Sequence, residues 1–521
     1  MIRVKNLSVL LALALSMSTI STDVSAQEKD AKPSDKPAEA AAPVPAKEES
    51  SITDHTIKIG GQTIPYKATA ATILLKNEKD ESTALIYYTA YTRSDIKDLS
   101  QRPVSFVYNG GPGSSSVWLH MGSFSPRRVI TVNADATPPA PYKLAENANC
   151  LLDKTDLVFL DPVGTGFSHA VGKAQDKDFW GVDQDVKSLA QFLNTYISRN
   201  SRWNSPKFLI GESYGTFRSA ALSNYLQSHD GLYFNGIVLI SSVLNLGTIS
   251  FNPGEDMPYI FYLPSYAATA WYHKVLKDRP DNLNAFLDET RKFSQTEYAG
   301  ALMKGSKLGE AEKSAVAKKL ARYTGLSEDY LIKANLRVNL PQFMKELQRA
   351  RGLTTGRLDA RFSGWSYNLL GEFAEYDPQD TSITGPFTAA FNNYVRDELK
   401  FGQDKVYHTG ADEAGNNWDW KHRGGGDNFG FPGSPNVEGD LIQAMLTNPH
   451  LQIEVENGLY DLATPFFATE YTMEHLGLPE KLQKNIHLQY YDAGHMMYLR
   501  DEDLAKLKAN IASFIDGASK P

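Results

Sequence analysis

A serine flanked by two glycines is the first feature of the sequence with the potential for chemistry. Gly211-Glu-Ser213-Tyr-Gly215 directly follows the β-rich run 207–210, and a helix-compatible run, 216–227, begins just after it. In a G-x-S-x-G turn the serine sits on a strained bend between a strand and a helix, which exposes its hydroxyl. An ordinary tight turn is the alternative interpretation, but the flanking strand and helix favour a nucleophilic Ser213.

A serine hydroxyl is inert near neutral pH unless a base takes its proton and a third group orients that base. The chain offers both after late β-rich runs, because 451–455 leads to Asp461 and 486–491 leads to His495. This order of serine, acid and histidine, each following a strand, is typical of α/β-hydrolases. We therefore predict Asp461 as the orienting acid and His495 as the general base. Asp492 is a poorer candidate because it lies too close to His495 along the chain.

Acyl transfer also requires N–H donors for the oxyanion, each worth about 3 kcal/mol. The amide of Tyr214, next to the serine, is one candidate. The Gly-rich segment 109–113, Asn-Gly-Gly-Pro-Gly, follows the run 104–108 and is placed to supply the other. No Gly-Lys-Ser/Thr follows this segment, which argues against a phosphate-binding loop.

These loops need a scaffold that brings distant parts of the chain together. Short β-rich runs alternate with a helical stretch at 181–199, and they lie at 104–108, 157–160, 207–210 and 236–240. This alternation predicts an α/β fold with a mostly parallel sheet flanked by helices. Open sheets of this kind place their sites at the carboxyl ends of the strands. Two further runs, 55–61 and 84–91, predict antiparallel strands at one edge.

The predicted domain plan has five parts. Basic residues, an apolar run and small residues up to Ala26 predict a signal peptide over 1–26. An Ala/Pro/Lys/Glu-rich stretch, 27–50, predicts a disordered linker. The hydrolase core is predicted over 51–245 and 446–521, and a mainly helical insertion, or cap, over 246–445. We expect this insertion to close over the carboxyl edge of the sheet.

Composition restricts the classes of function. The chain has 521 residues, 42% of them hydrophobic, with a net charge of −8 and no long Lys/Arg run, which argues against nucleic-acid binding. A single cysteine, Cys150, excludes an intrachain disulfide. No metal-ligand motif occurs, so we expect no metal and no cofactor. The predicted signal peptide, with no later segment apolar enough for a membrane span, predicts an exported protein, either periplasmic or secreted. The sequence leaves its oligomeric state undetermined.

Five motifs occur in order along the chain: Asn-Gly-Gly-Pro-Gly-Ser-Ser-Ser at 109–116, Asp-Pro-Val-Gly-Thr-Gly-Phe-Ser at 161–168, Gly-Glu-Ser-Tyr-Gly at 211–215, Asn-Gly-x-x-Asp at 457–461 and Gly-His-Met at 494–496. Together they resemble the serine carboxypeptidase family. The resemblance implies an α/β-hydrolase fold. It also implies release of single residues from the free C-terminus of a peptide substrate.

The resemblance further implies roles for individual residues. It assigns the catalytic triad to Ser213, Asp461 and His495, the oxyanion hole to Gly111 and Tyr214, and substrate binding to Asn109, Gly110 and Glu212. In this family an asparagine and protonated acids hold the substrate carboxylate, which favours acidic pH. A glutamate of that set is Ser123 here, which leaves the pH optimum open. An ionised Glu212 would repel a carboxylate, whereas a protonated one would donate a hydrogen bond to it.

The predicted function is that of a serine-type carboxypeptidase acting through an acyl-enzyme. An esterase or acyltransferase on the same Ser-His-Asp scaffold is the first alternative. A non-catalytic exported binding protein that retains the scaffold is a more remote one.

Overall fold

The computed structural model describes residues 46–424 and 434–520. The predicted signal peptide and residues 27–45 of the predicted linker lie outside the described residues. Among the helices of the described ranges, none combines the length and the apolar character needed to cross a bilayer.

A ten-stranded sheet forms the centre of the described chain, and two small two-stranded sheets accompany it. The strands are β1 (Ser50–Ile59), β2 (Gln62–Lys76), β3 (Ser82–Arg93), β4 (Val104–Tyr108), β5 (Arg127–Ile130), β6 (Lys143–Glu146), β7 (Asp156–Leu160), β8 (His169–Ala170), β9 (Lys207–Glu212), β10 (Gly236–Ile240), β11 (Leu353–Thr355), β12 (Ser363–Trp365), β13 (Gln452–Gly458) and β14 (Ile486–Tyr491).

The middle of the central sheet is parallel. Its spatial order is β1-β2-β3-β7-β4-β9-β10-β13-β14, with β8 paired to β3. Neighbouring strands from β7 to β14 run parallel, while β1, β2 and β3 form an antiparallel extension that joins β7. Strands β4, β7, β9 and β10 are buried along their whole length, as expected for parallel strands covered on both faces. The prediction of a mostly parallel sheet flanked by helices is confirmed, and β2 lies between the two predicted edge strands.

Helices cover both faces of the sheet and build a further lobe. They are α1 (Val117–Leu119), α2 (Val182–Arg199), α3 (Tyr214–Asp230), α4 (Met257–Tyr272), α5 (Leu283–Phe293), α6 (Ala299–Lys304), α7 (Glu310–Thr324), α8 (Glu328–Lys333), α9 (Leu340–Glu346), α10 (Pro378–Asp397), α11 (Asp412–Asn417), α12 (Glu438–Thr447), α13 (Phe466–Glu474), α14 (Glu480–Gln483) and α15 (Asp501–Ala518).

Three apolar clusters hold these layers together. On one face of the sheet, α2, α3 and α12 pack against β4, β9, β10 and β13. On the other face, α15 packs against β9 and β10, together with α10. A third cluster joins α4, α5, α7 and α9 to α13, which follows the Asp461 loop. The lobe formed by α4 to α9 is therefore packed onto the carboxyl side of the sheet.

A β-hairpin interrupts the helices of the predicted insertion. Strands β11 and β12 pair antiparallel, with Leu353 opposite Trp365 and Thr355 opposite Ser363. The turn between them, residues 356–362, closes with a hydrogen bond from Gly356 N–H to the Phe362 carbonyl (3.0 Å). We call this segment the brace turn, because it contacts the loops that follow β13 and β14.

Candidate active site

Ser213 occupies a strained turn between β9 and α3. Its backbone has φ 60° and ψ −128°, a conformation that residues other than glycine rarely adopt. The Ser213 N–H donates to the Ile240 carbonyl at the end of β10 (3.0 Å). A Cβ at Gly211 would lie 2.3 Å from the Gly215 carbonyl oxygen, so the turn requires a glycine there. The chain thus presents the Ser213 side chain, which is only partly buried, at the carboxyl edge of the sheet.

Asp461 and His495 lie just past the ends of β13 and β14 and are hydrogen-bonded to each other. The distance from His495 Nδ1 to Asp461 Oδ2 is 2.8 Å, and both side chains are buried. Three further donors hold the carboxylate: the amides of Ala463 (2.7 Å) and Thr464 (2.9 Å), and the Thr464 hydroxyl (2.8 Å). Because a carboxylate only accepts, the imidazole carries its proton on Nδ1 and leaves Nε2 as an acceptor.

His495 and Ser213 are brought together through the end of β10. Ile240 accepts from the Ser213 amide, and the next residue, Ser241, donates from its hydroxyl to the His495 carbonyl (2.7 Å). Among the described residues, no hydrogen bond joins Ser213 Oγ to His495. Bonds of this kind are often long before substrate binds and tighten in the complex.

Neighbouring charges adjust the pKa of His495. Burial opposes the charged imidazolium, but the Asp461 carboxylate and Glu212 outweigh it, so the pKa lies above its ordinary value. The Arg357 guanidinium acts in the opposite direction and lowers the pKa. Since a general base must be neutral, these charges decide the lower pH limit for proton removal from Ser213.

The Gly-rich loop after β4 packs directly against the first turn of α3. A Cβ at Gly110 would lie 2.4 Å from the Tyr214 amide nitrogen, so glycine is required for this approach. Tyr214 is the first residue of α3, where amides have no partner within the helix. Gly111, the other predicted donor, follows Gly110 in the same loop. The loop and the helix start are therefore adjacent, as an oxyanion hole requires.

Asn109 and Glu212 are paired beneath this loop. Asn109 Nδ2 donates to Glu212 Oε1 (2.7 Å), and Asn109 Oδ1 accepts from the Leu119 amide (2.9 Å). Glu212 Oε2 is buried and has no hydrogen-bond partner among the described residues, although the Tyr498 side chain lies beside it. Burial raises the pKa of Glu212 to about 7, despite the opposing effect of His495. A protonated Glu212 can donate from Oε2, where the neighbouring Tyr498 hydroxyl competes with a ligand for the hydrogen bond.

Ser123 does not contribute a polar group to this cluster. It lies in the turn that continues α1, where its hydroxyl donates to the Leu119 carbonyl (2.6 Å). The side chain is fully buried. The acid that the family has in this set therefore has no counterpart at Ser123.

Sequence patterns did not reveal three polar neighbours of the predicted site residues. Ser241 holds the His495 carbonyl, Thr464 holds the Asp461 carboxylate and Tyr498 lies beside Glu212. The position of Ser241, directly after β10, was a usable signal, because residues after parallel strands meet at the same edge. Thr464 and Tyr498 follow Asp461 and His495 by a few residues, but nothing in their spacing predicts their contacts.

The chain is similar in sequence and in fold to known proteins. The model of the serine carboxypeptidase family matches residues 62–382. The pheromone-processing carboxypeptidase KEX1 of Saccharomyces cerevisiae is 30% identical over 161 residues, which are 30% of this chain and 21% of that protein. The retinoid-inducible serine carboxypeptidase of Homo sapiens is 29% identical over 141 residues, 26% of this chain and 28% of that protein. The matches thus span between a fifth and a third of the length of these relatives.

A P-(S)-hydroxymandelonitrile lyase from Sorghum bicolor is 27% identical over 203 residues, 38% of this chain and 36% of that protein. The crystal structure of Kex1Δp, a prohormone-processing carboxypeptidase from Saccharomyces cerevisiae, superposes with a TM-score of 0.54. It is 19% identical and covers 87% of this chain and 91% of that one, which establishes the α/β-hydrolase-like fold. Because the family model matches more than half of its residues, the chain belongs to the serine carboxypeptidase family.

Proposed function

We propose that this protein is a serine carboxypeptidase that releases C-terminal residues from peptides through an acyl-enzyme. The observation that carries the proposal is the buried Asp461–His495 hydrogen bond beside the strained turn of Ser213. Family membership supports the class of reaction. The proposal includes the roles of the individual residues.

In the first half-reaction, Ser213 Oγ attacks the carbonyl carbon of the last peptide bond. His495 Nε2 accepts the hydroxyl proton, and Asp461 stabilises the resulting imidazolium. The amides of Gly111 and Tyr214 donate to the oxyanion of the tetrahedral intermediate. When the intermediate collapses, the carbon–nitrogen bond breaks and His495 returns the proton to the amine of the departing amino acid.

In the second half-reaction, water attacks the acyl-enzyme. His495 takes a proton from the water, the oxyanion donors bind the second tetrahedral intermediate, and the ester bond to Ser213 breaks. The proton then returns to Ser213 Oγ, and the shortened peptide leaves with a new carboxylate. No cofactor is needed, because every proton transfer runs through His495.

Recognition of the free C-terminus is assigned to Asn109, Gly110 and Glu212. The buried Asn109–Glu212 pair lies next to the nucleophile, and Glu212 Oε2 is without a partner among the described residues. With its pKa raised by burial to about 7, Glu212 donates to a substrate carboxylate at neutral and lower pH. This assignment distinguishes a carboxypeptidase from an esterase, which needs no carboxylate site.

Hydrolysis of a blocked dipeptide and of its C-terminal amide tests the proposal. We expect strong preference for the free acid, and labelling of the enzyme by a fluorophosphonate that is lost in Ser213→Ala. Equal rates on both substrates would indicate an esterase or acyltransferase instead. Absence of labelling in the wild-type enzyme would indicate a non-catalytic binding protein. A timed mass-spectrometric digest of a peptide mixture should show ladders shortened from the C-terminal end, and internal cuts would refute the exopeptidase assignment.

We also propose that the protein is exported to the periplasm or the medium. The support is the charge, apolar run and small residues of the sequence 1–26. N-terminal sequencing of the protein recovered outside the cytoplasm should begin at Gln27. Recovery of the uncut chain in the cytoplasm alone would contradict this.

A further inference from the structure

We propose that Asp359 and Arg361, in the brace turn, are positioning residues that fix His495 against Asp461. The inference rests on the proposed function, since it concerns the geometry of the assigned acid and base. Neither residue contacts the reacting atoms. Both act through the main chain of the loop that carries His495.

The brace turn first contacts the loop of the acid, on both sides of Asp461. The Ala360 N–H donates to the Tyr460 carbonyl (2.9 Å), and the Leu462 N–H donates to the Arg357 carbonyl (3.1 Å). The residues directly before and after Asp461 are thus hydrogen-bonded to the same short turn. This fixes the position of the carboxylate relative to the brace turn.

The same turn also contacts the loop of the base. The His495 N–H donates to the Leu358 carbonyl (2.7 Å), and the Gly494 N–H donates to Asp359 Oδ2 (3.1 Å). The Arg361 Nη1 group donates to the Asp492 carbonyl (2.9 Å). One hairpin turn therefore connects two loops that follow different strands.

Asp359 and Arg361 make this connection rigid. Arg361 Nη2 lies 2.6 Å from Asp359 Oδ2, and Arg361 Nε contacts both carboxylate oxygens. The side chain of Arg361 is 4% exposed and that of Asp359 is 1% exposed. A buried, forked pair of this kind has few alternative arrangements. The base loop fits closely against it, since a Cβ at Gly494 would lie 2.5 Å from both Cα and Cβ of Asp359.

Loosening the pair has a specific chemical consequence. The His495 main chain is held by Leu358 on one side and by the Ser241 hydroxyl on the other. When the contacts between the brace turn and the His495 loop are weakened, the imidazole turns away from the Asp461 carboxylate. The hydrogen bond between the two side chains then weakens. Asp461, and Glu212 when it is ionised, raise the pKa of His495, and Arg357 lowers it. A weaker contact with Asp461 therefore lowers the pKa of His495.

The Asp359→Asn variant tests the proposal, because an amide keeps the shape but offers one acceptor oxygen to both Arg361 and Gly494. We expect kcat to fall about tenfold or more, KM to change less than about twofold, and the acidic limb of the kcat profile to move to lower pH. Fluorophosphonate labelling should slow in parallel. Arg361→Lys keeps the positive charge but loses the bidentate hydrogen bonds of the guanidinium to Asp359. It should shift the acidic limb of the kcat profile in the same direction by a smaller amount.

Asp156→Asn is the matched control. Asp156 is also a buried aspartate paired with arginines, Arg102 and Arg202, but it begins β7 at the opposite edge of the sheet. We expect Asp156→Asn to lower the melting temperature. The kcat of the folded enzyme and the acidic limb of its pH profile should stay unchanged. A purely structural role for Asp359 predicts the same behaviour as this control, and that result would overturn the proposal.

Fluorophosphonate labelling distinguishes an inactive enzyme from one that is active without the contribution of Asp359 and Arg361. A wild-type enzyme that fluorophosphonate does not label overturns the proposed function and the positioning roles with it. A labelled wild type whose Asp359→Asn and Arg361→Lys variants keep its labelling rate and pH profile overturns the positioning roles alone.

Discussion

The Glu212→Gln variant separates binding of the substrate carboxylate from titration of the residue that holds it. Asn109 Nδ2 donates to Glu212 Oε1, which places the amide oxygen of a glutamine at that position. The glutamine NH₂ then occupies the position of Oε2, which has no partner among the described residues. The variant therefore donates to a carboxylate at every pH, whereas wild-type Glu212 donates only when protonated.

The expected magnitude follows from the pKa of Glu212, which burial raises to about 7. From pH 6 to pH 8 the protonated fraction of a group with this pKa falls about tenfold, equivalent to about 1.4 kcal/mol of binding free energy. For the wild type we expect the inhibition constant of a competitive inhibitor with a free carboxylate to rise about tenfold over this range. For Glu212→Gln it should stay constant within about twofold.

The assay compares this inhibitor with its C-terminal amide, which lacks the charge that Glu212 repels. The amide should bind both enzymes with little dependence on pH. Glu454→Gln is a matched control, because Glu454 is another buried acid whose pKa burial raises to about 7, and it lies in β13. The inhibition constant of the Glu454→Gln variant should depend on pH as that of the wild type does. Two results would refute the assignment of Glu212 to carboxylate binding. One is a wild-type inhibition constant that does not change with pH, and the other is a tenfold rise of the inhibition constant that persists in Glu212→Gln.

Three further predictions concern the surroundings of the site. Gly110→Ala should lower kcat about 100-fold, because the added Cβ would lie 2.4 Å from the Tyr214 amide and displace an oxyanion donor; steady-state kinetics measures this. Arg357→Gln should move the acidic limb of kcat/KM to higher pH, because this guanidinium lowers the pKa of His495; a pH–rate profile measures the shift. Asp185→Asn should lower the free energy of unfolding by about 3–5 kcal/mol, because it leaves the fully buried Arg218 without its carboxylate; denaturant titration measures the loss.

Each of these has a control that the chain itself offers. Gly300→Ala meets no atom within 4 Å and should leave kcat unchanged. Arg351→Gln removes an exposed arginine near the β11–β12 hairpin and should not shift the acidic limb of the kcat/KM profile. Asp54→Asn breaks an exposed pair with Lys67 and should change the unfolding free energy by less than about 1 kcal/mol. Equal effects in a variant and its control would contradict the corresponding prediction.

The sequence predicts the sheet because the signals for it are local. Buried parallel strands appear as short runs of β-branched and aromatic residues, as in 104–108 and 236–240, and the structure has strands at those places. The sequence predicts Ser213, Asp461 and His495 as site residues because each follows such a run and the carboxyl ends of parallel strands lie at one edge of the sheet. The order of elements along the chain was therefore enough to predict which loops would meet.

Only the tertiary structure decided how the predicted residues are held. The contacts of Ser241 with His495 and of the brace turn with both loops join residues at least 100 positions apart, and no periodicity along the chain encodes them. The raised pKa of Glu212 likewise depends on its burial beneath a loop from a different strand. Local residue types thus determine strands, turns and candidate chemistry, whereas distances, burial and charge balance arise only when separate segments pack together.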